Sequence, residues 1–157
     1  MGTYWGRQAF LKAKTLLGKP YRFGGNYPPL GKSDGTDCSG LAQWAYHAVG
    51  IDLTRTTFTQ FRQYVATGAY CNGDLLFFAG SDGTAANPGH VGLFAGYGII
   101  GPKQHSWFGT GNPRTGKLIV LNAPYTGDPN GIRFDYASNI GPVVAHTRPG
   151  ISRRDPK

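Results

Sequence analysis

Two short segments carry the residues able to do chemistry, Thr36-Asp37-Cys38-Ser39-Gly40-Leu41 and Pro88-Gly89-His90-Val91-Gly92-Leu93-Phe94. The first sets a thiol where a helical pattern begins. Unpaired N–H groups and the macrodipole at a helix start favour negative charge, so the position suits a thiolate. The second sets an imidazole at the head of an apolar strand. Gly89 precedes it and Gly92 follows, leaving room for another element to pack close. A thiol with a basic partner attacks carbonyl carbon. The pair therefore predicts a cysteine-nucleophile hydrolase, with Cys38 as nucleophile and His90 as proton acceptor.

The other histidines compete poorly for that role. His47 lies on the opposite face of the helix that begins at Cys38, at about 100° per residue. His146 is near the C-terminus with no other polar cluster around it, and His105 falls in a Gly/Pro/polar stretch. A catalytic imidazole also needs an orienting group on its second ring nitrogen. Asn122, Asp74, His105 and Asp128 are the candidates, and Asn122 ends a strand that could lie beside His90. The four histidines, with Cys38 and Cys71, show no ligand spacing, so no metal or other cofactor is expected. Neither Gly24-Gly25 nor Gly109-Thr110-Gly111 leads into a phosphate-loop lysine.

The elements that must position these residues follow from periodicity. Tyr4 to Leu17 reads as an amphipathic helix with Phe10, Ala13 and Leu17 on one face, ended by Gly18 and Pro20. A Gly/Pro-rich loop, Tyr21 to Asp37, leads to a second helix from Cys38 to Val49, capped by Asp37 or Thr36. A third runs from Thr57 to Val65, capped by Thr56 or Thr57. The pattern then turns strand-like, over Asp74–Ala79, His90–Ala95, Lys117–Leu121, Gly131–Tyr136 and Pro142–Thr147. Helices first and strands later predict an α+β fold, N-terminal helices packed on a central antiparallel sheet. Residues 1–150 read as one domain and 151–157 as a tail or linker.

The totals agree. The chain has 157 residues, 39% hydrophobic and 15% charged, enough for one core and unlike a disordered chain. A formal charge of +8 suits a polyanionic partner. The basic residues are scattered, without a basic helix or zinc-finger spacing, so nucleic acid is not the expected partner. No apolar run suits membrane insertion or a signal peptide.

At the same residues the chain resembles the NlpC-type cell-wall cysteine peptidases. The matching blocks, in the family's order, are Pro20-Tyr21-Arg22-Phe23-Gly24-Gly25, Thr36-Asp37-Cys38-Ser39-Gly40-Leu41, Leu53-Thr54-Arg55-Thr56-Thr57 with Gln60, Gly73-Asp74-Leu75-Leu76-Phe77-Phe78, His90 to Gly96, and Leu121-Asn122-Ala123-Pro124. The resemblance implies a papain-like α+β fold. It implies hydrolysis of peptidoglycan stem peptides at the γ-D-glutamyl bond to a diamino acid. Cys38 is then the nucleophile and His90 the base. Tyr21 helps hold the oxyanion or the substrate, and Asp37, Ser39 and Arg55 line the side that reads the substrate's amino end.

The chain departs from the family's pattern twice. Asn122 stands where the family often has His, although an amide can still orient an imidazole. Ile99 to Thr115 is an insert carrying Lys103, His105, Trp107, Phe108 and Arg114, a candidate lid or substrate loop, which keeps His105 open as the third residue. Two other readings follow: a catalytically degenerate wall-binding module, or an amidase or acyltransferase on the same fold. The expected setting is the bacterial cell wall, with peptidoglycan and anionic wall polymers as partners. The protein would be a monomer, delivered as a phage lysin or tail-lysin domain or excised from a longer secreted protein.

Overall fold

The computed structural model describes residues 4–110, 112, 114–125 and 128–150. The tail reading of residues 151–157 lies outside them.

Three helices come first. α1 (Tyr4–Lys14) buries Ala9, Phe10 and Ala13 on one stripe. It stops short of Leu17 because the chain tightens into i→i−3 turns at Thr15, Leu16 and Leu17 before Gly18, at φ 85°, turns it away. α2 (Cys38–His47) presses Leu41, Ala42, Ala45 and Tyr46 into the core. Its cap is Asp37, not Thr36, since the Asp37 carboxylate accepts the Gly40 N–H at 2.9 Å. α3 (Thr57–Gln63) follows an extended Thr56 and buries Thr57 and Gln60.

Among the described residues six strands form one antiparallel sheet: β1 (Leu75–Phe78), β2 (His90–Ile100), β3 (Trp107–Gly109), β4 (Lys117–Asn122), β5 (Arg133–Tyr136) and β6 (Ala145–Thr147). Their order is β5-β4-β2-β1-β6, with β3 paired to the far end of β2. The α+β architecture is therefore as the sequence predicts. The strands differ mostly at their ends. β2 runs on to Ile100, and β3 folds back on it through Ile99↔Phe108, so much of the expected insert is a hairpin extension of the sheet.

Alternation along the strands covers both sheet faces. Leu75, Phe77, Val91, Leu93, Ile119, Leu121 and Phe134 join α1 and α2 in the main core. Leu76, Phe78, Phe94 and Val120 face the other way and are covered by Tyr70, Ala137, Ile140 and Val143. By the same period of two, His90, Asn122, Arg133 and Asp135 belong to that second face.

Gly92 lets β4 come close. A Cβ there would meet the Val120 Cβ at 2.9 Å and the Asn122 Cβ at 3.4 Å. The glycine noted beside His90 in the sequence is thus what admits the strand carrying Asn122.

Candidate active site

Cys38 opens α2, where the first N–H groups have no partner inside the helix. Its Sγ lies 4.0 Å from the Gly89 carbonyl oxygen, at the entry to β2. Backbone N–H groups of Val91 and Ser39 favour the sulfur's anion, as does Arg55. Burial outweighs them and pushes the thiol up to about 11, with the Asp37 charge adding to the rise. Burial thus works against the anion that a helix start favours.

His90 is held below its usual value, chiefly by burial, against the opposing influence of its Asn122 hydrogen bond and the Asp135 charge. Its Nε2 lies 2.8 Å from the Asn122 side-chain oxygen. An amide oxygen only accepts, so Nε2 carries the proton and Nδ1 keeps its lone pair. The Asn122 Nδ2 donates to the Arg133 carbonyl at 3.2 Å and to Asp135 Oδ2 at 2.9 Å. Cys38, His90 and Asn122 line one cleft of about 390 Å³, together with Tyr21 and Tyr125. A thiol, an imidazole and an amide in one cleft are the kinds of group that acyl transfer calls for.

The cleft continues past Cys38 into a second half of about 350 Å³ bounded by Phe23, Asp37, Ser39, Arg55 and Phe58. Three of these form one tied cluster. Arg55 ion-pairs with Asp37 at 2.9 Å and donates to the Ser39 hydroxyl at 2.9 Å and the Gly25 carbonyl at 3.1 Å. Asp37 also accepts the Gly24 N–H at 3.0 Å. The cluster pins the glycine-rich loop to the start of α2. Tyr21 lines both halves, its hydroxyl pushed up to about 12 by burial and by the neighbouring charges of Cys38, Asp37 and Asp82.

The other candidates for the third position go elsewhere. Asp74 accepts from His146 and Arg148. Asp128 ion-pairs with Arg133. The His105 Nε2 donates to the Asn130 carbonyl at 2.6 Å, with its ring against Gly18. His47 pairs with Asp52 at 3.1 Å. His146 corrects the sequence reading: it sits in a polar cluster, 2.5 Å from Asp74 and beside Arg148. That cluster forms by pairing β1 with β6, which brings together residues 72 apart in the chain.

Gln104, Arg133 and Asp135 are among the cleft residues that were not anticipated. Arg133 and Asp135 are two apart on a strand and so share a face, a signal present in Arg133-Phe134-Asp135-Tyr136. Gln104 comes from the insert and had no local signal. Among the described residues no group of His, Cys, Asp and Glu is arranged to hold a metal ion.

Residues 18–127 match the model of the NlpC/P60 family, and the chain belongs to that family. It is 39% identical over 84 residues to the bifunctional muramidase/DL-endopeptidase CwlT of Bacillus subtilis, covering 52% of this chain and 24% of that protein. It is 33% identical over 120 residues to the murein DD-endopeptidase MepH of Escherichia coli, covering 73% of this chain and 39% of that one. The chain thus spans well under half the length of these two relatives. The structure of NlpC2 from Trichomonas vaginalis shares the fold, with a TM-score of 0.68 at 24% identity, over 94% of this chain and 48% of that one.

Proposed function

We propose that this chain is a cysteine endopeptidase that hydrolyses peptidoglycan stem peptides at the bond between γ-D-glutamate and a diamino acid. The observation that carries the reading is the His90–Asn122 contact at 2.8 Å in the cleft that Cys38 lines. Family membership supports the substrate class. The name of the Bacillus subtilis relative, a DL-endopeptidase, supports the D,L bond.

In this reading Cys38 and His90 rest as a neutral pair. As Sγ bonds to the carbonyl carbon, the thiol proton passes to His90 Nδ1 and the carbonyl π electrons move onto oxygen. The Cys38 N–H at the start of α2 and the Tyr21 hydroxyl receive that oxyanion. Collapse breaks the C–N bond, and the leaving amine takes the proton from His90. Water then gives its proton to His90 and attacks the thioester, and the carboxylate and thiol are released. Asn122 holds the Nε2–H tautomer throughout. The cluster of Asp37, Ser39 and Arg55 forms the wall on which the acyl side of the substrate rests. Action is at the cell wall, outside the cytoplasm, and residues 1–150 act as one unit.

The test is mass spectrometry of muropeptides after digestion of diaminopimelate-type and lysine-type peptidoglycan, wild type beside Cys38→Ala. The expected result is new fragments ending in D-glutamate, absent with the variant, which keeps its fold. Fragments cut at another bond would move the specificity. Sedimentation with sacculi but no cleavage by wild type would replace the peptidase by a binding module.

A further inference from the structure

Asp135 is a buried carboxylate inside β5, 5% exposed, that the mechanism above does not use. Its two oxygens receive donors from three directions. Asn122 Nδ2 donates to Oδ2 at 2.9 Å, Gln104 Nε2 to Oδ1 at 2.7 Å, and Arg133 Nε to both, at 3.2 and 3.0 Å. The Gln104 amide is itself set by Asn130, whose Nδ2 donates to Oε1 at 3.0 Å.

These bonds have a direction. A carboxylate only accepts, so whichever side-chain amide meets it must turn its NH₂ toward it. For Asn122 that leaves Oδ1 facing His90. The Arg133 carbonyl accepts from the same NH₂ at 3.2 Å, and the Asp135 carboxylate is the nearer and the charged acceptor of the two. The acceptor-only group behind Asn122 is what decides which ring nitrogen of His90 bears the proton.

We propose that Asp135 is a positioning residue for catalysis: by accepting from Asn122 Nδ2, it fixes the Asn122 amide and through it the Nε2–H tautomer of His90, leaving Nδ1 free for the Cys38 proton. Gln104 and Arg133 hold Asp135 in turn. The inserted segment thus reaches the site as a buttress, through Gln104, rather than as a lid. The proposal rests on the catalytic reading of Cys38 and His90.

The groups facing His90 give the proposal a pH signature. Cys38 comes from α2, Tyr21 from the glycine-rich loop, Asp82 from the loop between β1 and β2, and Arg133 and Asp135 from β5. The Arg133 charge is offset by Asp128 and Asp135. The Asp135 charge raises the proton affinity of His90. Removing it lets that affinity fall, so the acid limb of kcat/KM moves to lower pH.

The experiment combines ¹⁵N ring shifts of His90 with the pH dependence of kcat and KM, on the full chain. In wild type, above the titration of His90, Nε2 is protonated and Nδ1 bare. Asp135→Asn is expected to populate both tautomers, lower kcat about tenfold with KM unchanged, and shift the acid limb down. Asp135→Glu, which keeps an acceptor-only end, recovers part of kcat. A folded Asp135→Asn with the wild-type limb and tautomer overturns the proposal, as does a raised KM at unchanged kcat. If that variant does not fold, the wild-type spectrum decides, and a neutral His90 protonated on Nδ1 overturns it. Cys38→Ala, assayed alongside, separates the two readings. Residual turnover there sinks the catalytic assignment. An inactive Cys38→Ala with an unmoved Asp135→Asn limb sinks the positioning role alone.

Discussion

Asp74, just before β1, and Asp135, in β5, are buried carboxylates built from the same parts and put to different ends. Each pairs with an arginine: Asp74 with Arg148 at 2.8 Å, Asp135 with Arg133 at 3.0 Å. Each reaches a histidine. Asp74 touches His146 directly, while Asp135 reaches His90 through the Asn122 amide. The direct contact leaves His146 committed to a carboxylate, its ring edge-on to Tyr70 at 4.7 Å. The amide spacer keeps the Asp135 charge off the His90 ring, while burial holds His90 below its usual value. A carboxylate and a histidine in contact make a structural clamp; the same pair separated by an amide, in a cleft that a thiol lines, is the arrangement proposed above for a proton acceptor.

The largest effect should come from breaking the clamp. Asp74→Ala leaves Arg148 and His146 without their buried partner and is expected to cost about 3–5 kcal/mol of stability, read from urea unfolding, with turnover per folded molecule unchanged. Asp74 is held below the usual carboxylate range by hydrogen bonds from Arg148, His146 and the Cys71 N–H, which outweigh its burial. A lowered folded value stabilises above the unfolded value of about 3.9 and is lost as pH falls through the folded one. The stability gap between wild type and Asp74→Asn should therefore close in acid. A gap that persists at low pH would show that packing, not charge, holds this corner.

A middle-sized effect tests the spacer. Asn122→Ala is expected to lower kcat/KM about a hundredfold, ~2.7 kcal/mol of transition-state stabilisation, with little loss of stability. His105→Ala should leave kcat/KM nearly unchanged, because the His105 ring bonds the Asn130 carbonyl rather than His90. The reverse ranking would return the third role to the inserted segment.

The smallest effect concerns the resting charge of the pair. Burial holds His90 below 6.5, so the acid limb of kcat/KM should fall below that pH. On the alkaline side, activity should persist until the thiol titrates near 11. Thiolate absorbance at neutral pH, with an acid limb above 6.5, would show a resting ion pair instead.

Local pattern was enough for much of this. Cys38 at a helix start, His90 at a strand head and Gly92 beside it are readable from spacing, because helix ends and strand parity depend on neighbours in the chain. The α+β order and most of the strands follow from the same periodicities. Asn122 entered as one of four candidates. The family resemblance put it at the third position, and the β2–β4 pairing sets it beside His90, through Leu93↔Leu121 and the close approach at Gly92.

What the chain could not declare by itself depends on contacts distant in sequence. His146 looked isolated because its partner Asp74 is 72 residues away. Gln104 had no pattern because it acts on Asp135, 31 residues on, once β2, β4 and β5 are aligned. The ionisation of Cys38 is the clearest case. Its place at the start of a helix is written locally and favours the anion. The burial that reverses that preference exists only after β2 packs over the sulfur, because desolvation is a property of the assembled site and not of any segment.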